Sequence, residues 1–167
     1  MRRCGSTAAL AIAALAACGD EPEPVDLRFH TPLATITTLF ETFGIEDMSQ
    51  SDVRRIMGER KRFHLNDPDT YRACFSDYSG PQDEGLAGFV FGALAAAKDD
   101  LRFTMDADMA RVFPTSEETA GRMVVLRRGE SGWKIVLRES VPHEIQRQLH
   151  AVYQRAHTDA LQHGAPL

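Results

Sequence analysis

Three cysteines in 167 residues are too few for a disulfide framework. No apolar run approaches the roughly 20 residues of a membrane-spanning helix; the Ala8–Ala17 stretch is about half that. Positive charge is not in excess either. The chain has 19 Lys and Arg against 24 Asp and Glu, a net of −5, which argues against general nucleic-acid binding. G-x-S-x-G, the P-loop, H-E-x-x-H and the dinucleotide fingerprint are all missing, so no motif names a reaction. No repeat is visible.

The most specific feature is at the start. Arg2 and Arg3 precede the apolar run Ala8–Ala17, and Cys18, Gly19 and Asp20 follow it. A charged start, a short apolar run and a small-residue cleavage site make a secretory signal. Leu15-Ala16-Ala17-Cys18 resembles the lipobox of bacterial lipoproteins. The resemblance implies loss of residues 1–17 and acylation of Cys18, with palmitate among the possible chains. It implies a membrane partner through that lipid and an envelope location with the domain in the periplasm. Gly19, in place of Asp, favours the outer membrane over the inner one. Two other readings of residues 1–18 are a plain secretory signal with an incidental cysteine and an N-terminal core helix. Removal of the leader would leave 17 basic and 24 acidic residues, a net of −7. Cys74 would then be the one unmodified cysteine, on an apolar helical face that suits a buried small hydrophobe.

Residues 18–29 read as the lipidated cysteine and a tether, where G-D-E-P-E-P-V-D (19–26) is acidic, proline-containing and extended. A single α+β domain is expected over 30–161, with a frayed tail over 162–167. Thr31-Pro32 starts a first helix, with Leu33, Ile36, Leu39, Phe40 and Phe43 inward and Gly44 ending it. Ser49 or Ser51 caps a second helix, with Val53, Ile56 and Met57 inward and Gly58 at its end. Asp67-Pro68 begins a third, running to about residue 79, with Tyr71, Cys74, Phe75 and Tyr78 on one face. Residues 82–98 form a deep, apolar fourth helix. The period then changes from 3.6 to 2. A half-buried strand is expected at Leu101–Met105, with further strands at Met109–Phe113, Gly121–Arg128 and Trp133–Arg138, joined by short turns into an antiparallel meander. Pro142 opens a last helix, with Val141, Ile145, Leu149, Val152 and Ala156 as its inner stripe. The fold class is thus α+β, with N-terminal helices on a four-stranded antiparallel sheet and a C-terminal helix.

An opening helix, a V-x-L strand (Val124-Val125-Leu126) and a late G-W-K-I strand (Gly132-Trp133-Lys134-Ile135) together resemble the NTF2-like superfamily over roughly residues 31–140. The resemblance implies a curved, cone-like sheet with a pocket. Its isomerases and dehydratases place a buried acid or His there as general base. The extra helical segments at 68–79 and 82–97 and the helix after Pro142 depart from that pattern, and no residue here matches the family's catalytic motif.

The chemical candidates are few. His143, His150 and His157 repeat every seven residues, about 10 Å apart along a helix, too far for two of them to grip one ion; a solvated stripe fits better. Asp99/Asp100 and Asp106/Asp108 sit at a junction and a turn, where Asp is common for local reasons. Arg54, Arg55, Arg60, Lys61 and Arg62 form the one basic cluster, either solvated charge or a patch for anionic membrane. No catalytic residue, metal ligand or cofactor is identified. The leading expectation is a non-catalytic domain that binds a small hydrophobic ligand or an envelope protein. The alternatives are an isomerase- or dehydratase-type enzyme, and a structural lipoprotein docking through 54–62.

Overall fold

A computed structural model describes residues 26–59, 61, 63–115 and 122–163. Cys18, the leader and the tether up to residue 25 lie outside the described residues, as do Arg60, Arg62 and Gly121. The element order is α1 (Pro32–Glu41), α2 (Gln50–Gly58), α3 (Pro68–Ala73), α4 (Glu84–Ala96), β1 (Leu101–Asp106), β2 (Met109–Pro114), β3 (Val124–Gly129), β4 (Gly132–Ile135), α5 (Leu137–Ser140) and α6 (His143–His163). The architecture is mixed α+β, with a four-stranded antiparallel sheet in the order β1-β2-β3-β4.

Three helix starts are set by local capping. Thr31 Oγ1 accepts the Ala34 N–H (3.0 Å) ahead of Pro32. Ser49, not Ser51, caps α2, its Oγ accepting the Asp52 N–H (3.2 Å). Asp67 Oδ1 accepts the Thr70 N–H (3.0 Å) at α3. Each bond satisfies a backbone donor that the first helical turn leaves without a partner. After α1, the chain reverses at Gly44, whose φ of +63° suits glycine.

The core lies between the helices and one face of the sheet. α4 is its axis: Leu86, Ala87, Val90, Phe91, Ala93, Leu94, Ala95 and Ala96 are all buried, as expected of a helix apolar on most sides. Against it the sheet presents Ala110, Val112, Val124, Leu126 and Ile135, all buried. An aromatic group closes one side. Phe43 stacks on Phe91 (centroids 4.0 Å), and Phe43–Tyr71 and Tyr71–Phe75 meet edge to face.

Several expectations need correction. Folded structure is present ahead of residue 30: Asp26 caps a 3-10 turn at Leu27–Phe29, and Phe29 is buried. Leu33 faces solvent. α3 ends at Ala73, because β4 captures the next residues: the Ile135 N–H donates to Cys74 O and the Ser76 N–H to Ile135 O (both 2.9 Å). β1 is a strand but not a half-buried one, being exposed from Arg102 onward. The last strand stops at Ile135, so Leu137 and Arg138 lie in α5 instead. There the Asp77 carboxylate accepts both the Leu137 (2.7 Å) and Arg138 (3.0 Å) N–H groups. In α6 the stripe packs only at its start. Val141 is buried and Ile145 and Leu149 half-buried, but Val152 and Ala156 are exposed. The helix continues through His163, beyond the expected end of the domain, and residues 164–167 lie outside the described residues.

Candidate functional site

Strand alternation divides the sheet residues between two faces. With Ala110, Val112 and Leu126 turned to the core, the register places Met109 opposite Arg127, Arg111 opposite Val125, and Arg127 opposite Lys134 on the outer face. α5 and the start of α6 rise beside this face, held by Ser140 Oγ, which accepts the Val125 N–H (2.9 Å). The result is a groove of about 730 Å³. Met109, Met123, Val125, Val141 and Pro142 supply its apolar lining, and Arg111, Arg122, Arg127, Arg138, Glu139, Ser140 and His143 its polar lining.

Four arginines against one glutamate make this a locally basic site on an acidic chain. The four are not equivalent. Arg127 forms a two-pronged pair with Glu139 (2.8 and 2.9 Å), which raises its already high pKa. Arg138 is held by Asp77 and Asp83. Arg122 lies over the Phe89 ring, 4.9 Å from its centroid. Arg111 has no ion-pair partner among the described residues, and so carries the charge most available to a ligand.

The strongly shifted groups lie elsewhere. Burial pushes the Cys74 thiol up to about 12, and its Sγ–H donates to Thr70 O (3.3 Å). Burial also raises Tyr71. Both stay neutral at ordinary pH and are set in the core. Lys134 is lowered, chiefly by desolvation, with its ammonium over the Phe29 ring (2.9 Å to the centroid).

The candidates raised by sequence are dispersed. His143, at the groove, and His150 are exposed, seven residues apart on α6, while His157 stacks on Tyr153 (5.9 Å). His30 and His64 stand exposed on other segments. Asp99, Asp100, Asp106 and Asp108 are exposed and do not line the groove. No three His, Cys, Asp or Glu among the described residues are placed to hold a metal ion. The described members of the basic cluster are bound within the domain. Arg54 Nε donates to Ala96 O (2.8 Å) at the end of α4, Arg55 pairs with Asp52 and Glu59, and Lys61 pairs with Glu59 (2.6 Å). Of the aromatics near the sheet, Trp133 is buried, Phe89 half-buried and Phe103 about one-third exposed.

No protein-family model, curated protein or solved structure matches this chain. The groove arginines are therefore read from geometry alone. Sequence reasoning missed them because they are spread from residue 111 to 138 with no shared motif. The signal that was available is their phase: Arg111 and Arg127 fall opposite to the buried positions 110, 112 and 126. No helix among the described residues is long and apolar enough to cross a membrane.

Proposed function

We propose that this chain is a lipid-anchored protein of the bacterial envelope whose domain binds, without catalysing a reaction, an amphiphilic anion in the groove on the outer face of the sheet. The observation that carries the binding part is Arg111, without an ion-pair partner among the described residues, beside an apolar lining of Met109, Met123 and Val125. Such a site favours a ligand with a carboxylate or phosphate head and an apolar body. The space between the helices and the sheet holds Leu94, Leu126, Trp133 and Ile135, all buried, which favours the outer face over an interior pocket. The non-catalytic reading is supported by where the shifted groups are, since Cys74 and Tyr71 are in the core and away from the groove.

The address rests on Leu15-Ala16-Ala17-Cys18: acylation at Cys18, a periplasmic domain and, with Gly19 following, the outer membrane. The NTF2-like reading rests on the opening helix, the meander and the G-W-K-I strand. The helices α3, α4 and α6 make it a modified version of that cone.

Titration calorimetry with octyl phosphate below its micelle concentration, against octyl glucoside as an uncharged control, tests the binding. The phosphate binds and the glucoside does not, and Arg111→Glu weakens binding at least about tenfold. Equal binding of both, or an unchanged Arg111→Glu variant, overturns the assignment. Turnover of an isomerase or dehydratase substrate would overturn the non-catalytic part. Labelled palmitate appearing on the chain but not on Cys18→Ser checks the anchor.

A further inference from the structure

The two edges of the sheet are treated differently. β4 is sealed on its outer side. Thr35 Oγ1 donates to Trp133 O (2.8 Å), and Cys74 and Ser76 take the backbone groups of Ile135. β1 has no such cover among the described residues. The Thr115 N–H donates to Asp100 O (3.1 Å), so the even-numbered residues of this strand turn their backbone groups toward β2. In an antiparallel ladder these orientations alternate, which leaves the N–H and C=O groups of Phe103 and Met105 pointing outward. A bare edge of this kind is a template for another strand.

Its side chains form a pattern complementary to its own reverse. Phe103 and Met105 lie on the face of Ala110 and Val112, yet they are 36% and 56% exposed. Arg102 and Asp106 lie on the other face, with no ion-pair partner among the described residues. Thr104 is midway between them.

We infer that β1 pairs antiparallel with β1 of a second copy of this chain, across a two-fold axis at Thr104. In this register Arg102 stands opposite Asp106 of the second copy, and Phe103 opposite its Met105. Both pairs occur twice. The outward backbone groups of Phe103 and Met105 meet each other, as a ladder requires. Moving the axis to Phe103 sets Asp100 against Asp106. Moving it to Met105 sets Thr104 against Asp106 and gives up the charge pair within the strand. An isologous interface has to be complementary to itself, and the +/apolar/Thr/apolar/− order of residues 102–106 meets that condition, which an unrelated partner would not need. Directly opposed residues share a face, so pairing yields an eight-stranded sheet with both grooves on one side.

Cross-linking tests the axis. In a non-hydrogen-bonded pair the two Thr104 Cα atoms lie about 4.5 Å apart, within disulfide range. In the full chain carrying Cys4→Ser and Cys18→Ser, Thr104→Cys should oxidise to a covalent dimer several-fold faster than Ser131→Cys, an exposed control on the β3–β4 turn. In sedimentation, Arg102→Asp should weaken self-association by about tenfold, since like charges then face each other twice. Arg102→Asp/Asp106→Arg should restore it. Equal cross-linking of Thr104→Cys and Ser131→Cys, or a parent chain that sediments as a monomer at about 100 μM, overturns the dimer. Failure of the double variant to recover overturns the register.

Discussion

Arg138 Nη2 donates to Asp83 Oδ1 at 3.0 Å and so ties α5 to the turn that opens α4. The Asp83 side chain is 3% exposed. Its other oxygen accepts the Ser79 N–H (2.8 Å) and hydroxyl (2.7 Å). A buried carboxylate is tolerated when every oxygen has a donor, and here one donor is local, Ser79, and the other, Arg138, lies 55 residues along the chain from Asp83. Asp83→Ala should cost about 2–4 kcal/mol by urea unfolding, against about 1 kcal/mol or less for removing the exposed Arg72–Asp69 pair. A loss below about 1 kcal/mol for Asp83→Ala would remove this tie from the account of stability.

Two glycines should respond in opposite directions to alanine. Gly132 has φ of +95°, and a Cβ there would meet Phe29 O at 2.4 Å. Gly132→Ala should destabilise by more than about 2 kcal/mol. Gly58 ends α2, and a Cβ there would meet nothing within 4 Å. Gly58→Ala should stabilise by about 0.4–1 kcal/mol. Thermal unfolding of the two variants checks both signs.

Cys74 should make stability fall at alkaline pH. Burial disfavours the thiolate and pushes the thiol from its ordinary value of 9.0 up to about 12 in the folded chain. Between those values the unfolded state has lost the proton and the folded state has kept it. The folded state therefore binds more protons, and stability declines as pH rises through that window. Urea midpoints across pH 9 to 12 should fall less steeply in Cys74→Ala than in the parent. Parallel slopes would contradict the assignment.

The expected apolar stripe of α6 is packed as far as Leu149. Its Cδ2 lies 3.4 Å from where a Cβ on Gly85 would be, whereas Val152 is 54% exposed. Leu149→Ala should cost about 1–2 kcal/mol. Val152→Asp should stay within about 0.5 kcal/mol of the parent. A comparable loss at both sites would show that the distal half of the helix is covered by something beyond the described contacts.

What could be read ahead of the structure was local. Thr31, Ser49 and Asp67 cap helices by bonds that span three residues, so their signals are adjacent in the chain. Periodicity found α4 and the four strands because the pattern repeats within each segment. The misses in α3, the last strand, β1 and α6 involve distant partners. α3 stops early because Ile135 takes Cys74 and Ser76. Leu137 and Arg138 leave the strand because Asp77, sixty residues away, accepts their N–H groups. β1 carries the alternation of a covered strand, but the described helices leave Phe103 about one-third and Met105 more than half exposed. In α6 the apolar stripe runs on past the point where α4 can meet it.

The sequence by itself determined the α+β class, the meander and the helix starts, since capping and periodicity act over a few residues. Only the tertiary structure decided which cations are available and where they face. It bound Arg54, Arg55 and Lys61 within the domain. It also brought Arg111, Arg122, Arg127 and Arg138 to one groove and, among the described residues, left the edge of β1 bare. The physical reason is that charge acts through space. Whether an arginine is paired or free depends on which carboxylate or carbonyl the fold places within a few ångströms of it, and chain order does not contain that distance.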